Sequence, residues 1–153
     1  MDNLKVKIKK LTDNAVIPHY ATTGAAGMDL TATWKKEDND GNVCYGTGLA
    51  FGIPEGYAGF LFPRSSNFKK DLLLCNSVGV IDSDYTGEVK IMFKKQFCNP
   101  VEGVLYHRLD KEYEVGDRVA QMIFMKVPRV EFDVVDELDK TERGDGGFGH
   151  TGK

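Results

Sequence analysis

The sequence predicts an all-β domain of the sandwich, jelly-roll or barrel type, and two observations carry this prediction. Strand-like runs recur about every ten residues with turn-forming residues between them, and no long segment shows the apolar period of a helix. The chain has 153 residues, of which 41% are apolar and 28% charged, which is typical of one globular domain. With no internal repeat and no interior linker, residues 1–153 are interpreted as a single domain.

The first half of the chain supplies several of these strands. In residues 4–11 apolar side chains alternate with lysines, which predicts a half-buried strand with a solvated face. The glycine-rich residues 20–27 lead into a strand that begins at Met28. Residues 38–42 read as a turn, and residues 44–53 as a strand pair or one long strand.

Turns and strands continue to alternate in the second half. Residues 68–75 are the one place where the sequence allows a short helix. The remaining predicted elements are a turn at 54–57, a strand at 59–62, a polar excursion at 94–114, and strands at 118–127 and 130–135 separated at Pro128. Residues 141–153 are too glycine-rich to pack as an element, so we predict a core over about residues 1–140 and a mobile C-terminal tail.

Charge and cysteine usage exclude several classes of protein. The net charge is −3 with no block of Lys or Arg, which argues against a nucleic-acid polymer as partner. The sequence shows no signal-peptide core and no run of membrane-spanning length, so we expect a cytoplasmic protein without a membrane partner. Cys44, Cys75 and Cys98 are widely spaced, which indicates free thiols in a reducing compartment and gives little support to a zinc site.

The segment 76–89 is the most informative stretch. Apolar residues on either side predict the end of one buried strand and the start of the next: Val78, Val80, Ile81, then Val89, Ile91, Phe93. The simplest interpretation of the polar residues between them is a β-hairpin whose aspartates cap the turn. Two features favour a site instead. Asp82 follows apolar residues, where its pKa can be tuned for base catalysis. Tyr85 is a large ring on a turn, where the core does not need it and a ligand could stack on it.

Three other clusters admit both a functional and a structural interpretation. Arg64, Ser65 and Ser66 follow an apolar strand and suit phosphate oxygens, or they form a surface turn around a paired arginine. Gln121 lies within an apolar strand and needs partners or a ligand, unless it faces solvent. The tail carries Arg143, Phe148 and Thr151 among glycines, so it is either disordered or able to close over a ligand.

Taken together, five segments resemble the five ordered motifs of the trimeric dUTPase family, the deoxyuridine triphosphate nucleotidohydrolases. They are residues 26–30 (AGMDL), 63–66 (PRSS), 79–88 (GVIDSDYTGE), 116–123 (GDRVAQMI) and 143–152 (RGDGGFGHTG). The resemblance covers nearly the whole chain, and all five motifs stand in order. It implies a β jelly roll and hydrolysis of dUTP to dUMP and pyrophosphate, which limits uracil in DNA and supplies dUMP for dTMP synthesis.

The resemblance also implies roles for individual residues. Asp82 would activate the water that attacks the α-phosphorus, and Tyr85 would pack on the deoxyribose and exclude a 2′-hydroxyl. Asp29 would act through water on a Mg²⁺ ion chelated by the triphosphate. Residues implied to bind uracil are Asn76, Gly79 and Phe148, and those implied to bind phosphates or close the site are Arg64, Ser65, Ser66, Gln121, Arg143, Gly149, His150 and Thr151. Family members form homotrimers with shared active sites, the tail of one subunit closing the site of another.

The sequence departs from the family pattern in a few places. Ser66 stands where glycine is usual, Thr86 where a basic residue is common, and His150 where serine is frequent. The excursion at 94–114 is longer than in compact members and reads as an extended hairpin of unknown purpose.

Three other functions compete with dUTP hydrolysis. A dCTP deaminase shares the fold, but it needs a glutamate where this chain has Met92. A non-catalytic regulatory nucleotide-binding protein would be expected to lack Asp82, Tyr85 or Arg143. A structural jelly-roll protein, such as a capsid or carbohydrate-binding domain, explains the strands but not the five clusters.

Overall fold

The computed structural model describes residues 3–95 and 111–147, which contain ten short strands and one 3₁₀ helix. The strands are β1 (Lys7–Lys10), β2 (Met28–Thr31), β3 (Trp34–Glu37), β4 (Asn42–Gly46), β5 (Leu49–Gly52), β6 (Tyr57–Phe62), β7 (Leu72–Leu74), β8 (Gly79–Ile81), β9 (Lys90–Lys95) and β10 (Arg118–Lys126), and the 3₁₀ helix is Ser65–Lys69. No helix within these residues is long and apolar enough to cross a bilayer.

The strands form two four-stranded sheets and a two-stranded ribbon, all antiparallel. The first sheet has the order β2-β10-β6-β8, the second has the order β3-β4-β9-β7, and the ribbon pairs β1 with β5. Consecutive strands thus lie mostly in different sheets, as in a jelly roll. The all-β prediction is confirmed.

The core lies between the sheets and is fed by the alternating faces of their strands. In β9, Ile91 and Phe93 are buried while Met92 points outward, as the two-residue period of a strand requires. The largest buried side chain, Tyr45, meets Phe93 and Tyr113 edge-on at centroid distances of 5.9 and 6.0 Å. The Tyr45 hydroxyl donates to the Tyr113 carbonyl at 3.0 Å, which satisfies its one buried polar group.

The predicted hairpin at segment 76–89 is wrong. Strand β8 pairs with β6, whereas β9 pairs with β4 and β7, so residues 82–88 cross from one sheet to the other. We call this crossing the Asp82 loop. Val80 is 55% exposed and is not part of a buried strand end. Two apolar runs with turn residues between them can be strands of different sheets, because the sequence pattern does not show which strands pair.

Other element boundaries also differ from the prediction. The helical turn lies at Ser65–Lys69, and Leu72–Leu74 is a strand in which Leu72 and Leu74 are buried while Leu73 is exposed. Residues 44–53 are divided between two sheets. Residues 130–135 form no strand, because a strand needs a partner, and none is present within the described single copy. The first strand is more exposed than predicted, and most of the 94–114 excursion falls on residues 96–110, outside the described residues.

Cys44 and Cys75 are free thiols, in line with the prediction, while Cys98 lies outside the described residues. Burial raises the pKa of both thiols above the ordinary value. Since the thiolate is the reactive form, these side chains are expected to be poor nucleophiles.

An ion-pair network ties together the chain ends on either side of residues 96–110. Glu112 contacts the ammonium groups of Lys35 at 2.8 Å and Lys95 at 2.7 Å, and Lys95 also contacts Glu37 at 2.7 Å. Burial alone would raise the pKa of Glu112, but the hydrogen bonds from the two lysines outweigh it and hold that pKa below its ordinary value. The network therefore stabilises the fold only while Glu112 is ionised.

We expect Glu112→Gln to lower the free energy of unfolding by about 1 kcal/mol at pH 7, since partly exposed pairs contribute little each. Because the folded pKa is depressed, the contribution is present above the ordinary carboxyl pKa and is lost as the pH falls through the folded value. Denaturant titrations at one protein concentration should show the full deficit at pH 7 and a smaller one below about pH 4. Glu114→Gln, at 3.5 Å from Lys35, is the control with a smaller effect. An equal deficit at both pH values would contradict this account.

Candidate active site

A carboxylate held between two guanidinium groups forms the first part of the site. Asp29 lies on β2, Arg64 follows β6, and Arg118 begins β10. The Asp29 oxygens accept from Arg64 Nε at 2.8 Å and from Arg118 Nη1 at 3.0 Å. Asp29 and Arg64 are both partly buried, so the surrounding residues restrict their side chains in addition to the charge-assisted hydrogen bond between them. The cluster carries a net positive charge.

Arg64 is also restrained on its other side. Its Nη1 donates to the Ser66 hydroxyl at 3.1 Å and to the Arg118 carbonyl at 3.3 Å. Ser65 is exposed at the start of the 3₁₀ helix. The guanidinium is therefore held by three partners, which are the Asp29 carboxylate, the Ser66 hydroxyl and the Arg118 carbonyl.

Gln121 joins the same cluster through the register of β10. It lies opposite Asp29 on one side and Phe62 on the other, and its amide donates to the Pro63 carbonyl at 3.0 Å. A Cβ at Gly27 would lie 3.0 Å from Gln121 Oε1, so the glycine allows the amide to approach the backbone. These residues form one group, which we call the arginine cluster. Its members are Asp29, Arg64, Ser66, Arg118 and Gln121.

Sequence reasoning assigned no role to three residues that support this cluster. Arg118 is the second cation on Asp29. The buried Tyr113 donates its hydroxyl to Asn67 Oδ1 at 3.1 Å, and Asn67 Nδ2 donates to the Leu72 carbonyl at 2.9 Å. Burial raises the pKa of Tyr113, which keeps the hydroxyl a donor. The only signal for Arg118 in the sequence is its place in the motif at 116–123, and Tyr113 gave no local signal.

The second part of the site is the Asp82 loop. Asp82 is exposed and lines a cleft of about 210 Å³ with Tyr85, Glu88 and Lys90. The Tyr85 hydroxyl donates to the backbone carbonyl of Glu88 at 2.9 Å, and the Tyr85 backbone N–H donates to the backbone carbonyl of Asp82 at 3.2 Å. A Cβ at Gly87 would approach the Tyr85 hydroxyl to 2.7 Å, so glycine is needed for this ring position.

Asn76 and Gly79 lie side by side next to this loop. A Cβ at Gly79 would lie 3.0 Å from the Leu61 Cβ and 3.4 Å from the Asn76 amide nitrogen. Gly79 is buried and Asn76 is exposed. The pair therefore offers a backbone edge and an amide at the start of β8, on the same element that leads to Asp82.

The arginine cluster and the Asp82 loop are far apart in one copy of the chain. Asp29 lies on one edge strand of its sheet and β8 on the other, while Asp82 follows Ile81, the partner of Gly59. Strand spacing and rise place the carboxylates roughly 14 Å apart across the sheet and about 13 Å along it. A single copy does not bring the two groups onto one triphosphate.

The tail contributes one described residue to the predicted site. Arg143 is exposed and donates from Nε to the Gly146 carbonyl at 2.8 Å. Within residues 3–95 and 111–147, this is the one side-chain hydrogen bond recorded for Arg143, so a single copy does not join it to the other groups. Phe148, Gly149, His150 and Thr151 lie outside the described residues.

The guanidinium groups of the arginine cluster can bind anionic oxygens. The Asp82 carboxylate can accept a proton beside the ring of Tyr85. The fold and these groups define a β-sandwich domain whose exposed side chains are suited to binding a phosphate ester. A model of the dUTPase family matches residues 13–152. The chain belongs to the dUTPase family, which confirms the resemblance found in its motifs.

Individual relatives agree with this assignment over nearly the whole chain. A Finegoldia magna protein named deoxyuridine 5'-triphosphate nucleotidohydrolase is 42% identical over 97% of this chain and 99% of its own length. A mitochondrial protein of that name from Dictyostelium discoideum is 41% identical over 95% of this chain and 76% of its own. The structure of a mutant dUTPase of Staphylococcus bacteriophage 80alpha with dUpNHpp is 27% identical, with a TM-score of 0.81 over 97% of this chain and 99% of the other.

Proposed function

We propose that this protein hydrolyses dUTP to dUMP and pyrophosphate. The observation that carries the proposal is the Asp82 loop, where an exposed carboxylate lines a small cleft beside the anchored ring of Tyr85. Relatives at about 40% identity carry the name of this activity, and a structural neighbour is described with dUpNHpp.

Asp82 acts as the general base. Its carboxylate takes a proton from water as the water oxygen forms a bond to the α-phosphorus, and the bond from that phosphorus to the bridging oxygen breaks to release pyrophosphate. The exposed position of Asp82 leaves it open to water, and none of the ion pairs found within the described ranges involves it. An unpaired carboxylate is free to accept the proton.

Tyr85 and the start of β8 supply specificity. The ring of Tyr85 packs on the deoxyribose and leaves no room for a 2′-hydroxyl, while Asn76 and the Gly79 backbone read uracil. The hydroxyl bond to Glu88 and the close contact with Gly87 support this role, because a fixed ring excludes an extra atom better than a mobile one.

The arginine cluster holds the phosphates. Arg64, Ser65, Ser66 and Gln121 offer donors, and Arg118 adds a second cation. No group of three or more His, Cys, Asp or Glu side chains suited to a metal occurs among residues 3–95 and 111–147. A Mg²⁺ ion chelated by the triphosphate would be contacted by Asp29 through water. Each Asp29 oxygen accepts one guanidinium N–H and keeps a lone pair for a water on that ion. When bound there, Mg²⁺ would supply charge neutralisation on the phosphates.

The separation of the two groups supports a homotrimer with shared sites. Asp29 acts on the same triphosphate that Asp82 helps to cleave, yet in one copy the two lie on the order of 20 Å apart. A complete site therefore combines the arginine cluster of one copy with the Asp82 loop of another. The tail, from Arg143 onward with Phe148, Gly149, His150 and Thr151, closes the site of a different copy.

The segment 130–138, which we call the arm, provides a surface for this association. Val130, Phe132 and Val134 are 68, 85 and 93% exposed, and they alternate with the acidic Glu131 and Asp133. An apolar alternating segment of this kind needs a partner. The basic, alternating β1 of a second copy matches it in charge and period. We infer that the arm packs on that strand.

Phe132→Asp is expected to shift the protein from trimer to monomer at micromolar concentration, because a charge would replace an apolar ring in the contact. Sedimentation velocity measures the change, and kcat/KM should fall with the loss of shared sites. Val115→Asp alters a comparably apolar exposed residue outside the arm and should leave assembly intact. A trimer that survives Phe132→Asp would refute the contact.

The test of the proposed function is release of pyrophosphate from dUTP, dCTP, dTTP and UTP with Mg²⁺, with ammonia assayed in parallel. Pyrophosphate from dUTP alone is the expected result. Ammonia from dCTP would identify a deaminase and overturn the proposal. Binding of dUTP without turnover of any substrate would favour a regulatory nucleotide-binding protein.

A further inference from the structure

The Glu88 carboxylate is a fixed point at the end of the Asp82 loop. Its Oε1 accepts the Trp34 indole N–H at 2.9 Å and the Gly48 backbone N–H at 2.8 Å. Glu88 is partly buried, and no ion pair within the described ranges neutralises it. Two neutral donors therefore hold one oxygen of a partly buried carboxylate, and such charge-assisted hydrogen bonds are costly to break.

Trp34 is itself held in one orientation. A Cβ at Gly46 would lie 1.9 Å from the indole nitrogen and 2.0 Å from the adjacent ring carbon, so the ring lies directly on the backbone of Gly46. Trp34 and Gly46 are opposite each other in the β3–β4 pair. Glycine at this position lets the indole lie flat on β4 and aim its N–H at Glu88.

The backbone next to Glu88 is joined to the same element. The Val89 carbonyl accepts from Thr47 Oγ1 at 2.8 Å, and the Val89 N–H donates to the Leu49 carbonyl at 2.9 Å. Thr47 and Val89 are fully buried. The C-terminal end of the Asp82 loop is thus attached to the buried segment 46–49 through both backbone and side chain.

This attachment leads directly to Tyr85. The Tyr85 hydroxyl donates to the Glu88 carbonyl, so the position of the ring depends on the position of Glu88. We propose that Glu88, held by Trp34, is a positioning residue that fixes the Tyr85 ring and thereby sets discrimination between deoxyribose and ribose triphosphates. This inference rests on the proposed function and deepens it.

Substitutions at Glu88 and Trp34 separate positioning from simple structural support. Glu88→Ala removes the carboxylate that accepts from Trp34 and Gly48, while the backbone carbonyl that accepts from Tyr85 remains but is no longer anchored. The ratio of kcat/KM for dUTP over UTP is expected to fall about tenfold, since small misplacements of a contact group have large effects. Glu88→Gln keeps an oxygen acceptor and should retain the ratio within about threefold. Trp34→Phe keeps a ring on Gly46 but loses the N–H donor, and an intermediate ratio is expected.

The single tryptophan gives a readout that needs no substrate. Glu88→Ala should shift the Trp34 emission of the free protein, because the indole loses its acceptor, while Glu88→Gln should not. The matched control is Glu37→Ala, which breaks an ion pair with Lys95 on the same sheet and should change neither the emission nor the substrate ratio.

The outcomes distinguish the two proposals. If the wild-type protein prefers dUTP and Glu88→Ala keeps that preference in a folded trimer, the positioning role is refuted and dUTP hydrolysis stands. If the wild-type protein hydrolyses neither nucleotide, both proposals are overturned. A lost preference in Glu88→Ala that Glu88→Gln restores supports the positioning role.

Discussion

Asp82→Asn is expected to lower kcat for dUTP by about two to four orders of magnitude, the usual contribution of a general base. The amide has the size of the carboxylate and still lines the cleft beside Tyr85, but it cannot accept a proton from water. Since a negative charge near the phosphates is removed, nucleotide affinity should be unchanged or slightly stronger. Pyrophosphate release measures the rate, and calorimetry with dUpNHpp measures the binding.

Asp84→Asn is the matched control for this experiment. Asp84 is exposed on the same loop and shares a larger cleft with Asp82, Glu55 and Arg129, but it does not line the small cleft in which Asp82 meets Tyr85. Its substitution should leave kcat within about threefold, the scale of ordinary surface changes. Loss of dUpNHpp binding in Asp82→Asn would show that the aspartate is structural. Equal losses of kcat in the two variants would show that Asp82 is not specifically the general base.

Parts of the site could be predicted from the sequence where the residues that form them are close together along the chain. Asp82 and Tyr85 stand in one motif, and Arg64 and Ser66 are two residues apart, so their proximity follows from chain connectivity. The all-β class follows equally from alternation and turn residues. Assigning these groups to dUTP required the resemblance, since an aspartate-rich turn alone fits a simple cap.

Long-range pairing was not open to prediction in the same way. Nothing in the apolar residues around Asp82 shows that β8 joins β6 while β9 joins β4, because strands of either sheet have the same period. Trp34 and Glu88 are 54 residues apart, and their contact depends on that topology. Residues 130–135 were predicted as a strand from their apolar residues, but the described part of a single copy offers them no pairing partner and they form no strand.

Removal of residues 143–153 is expected to lower kcat/KM for dUTP at least about a hundredfold while the trimer persists. The truncation deletes the Arg143 guanidinium, and a single cation aimed at transferring phosphates is worth roughly three to five orders of magnitude in related chemistry. The arm at 130–138 stays in place, so the contact proposed between copies would be retained. Steady-state kinetics and sedimentation velocity measure the two quantities. An unfolded or monomeric product would show that the tail is structural.

Mixing this truncated chain with Asp82→Asn tests whether the tail acts on another copy. Each variant is nearly inactive alone, one for lack of the tail and the other for lack of the base. If the tail of one copy closes the site of a different copy, about a quarter of the sites in randomly mixed trimers contain both an intact Asp82 and an intact tail. Activity should then rise to about that fraction after the subunits are exchanged by denaturation and refolding. If base and tail come from the same copy, every site lacks one of them and no activity returns. A mixture of the truncated chain with wild-type protein, treated identically, controls for losses on refolding.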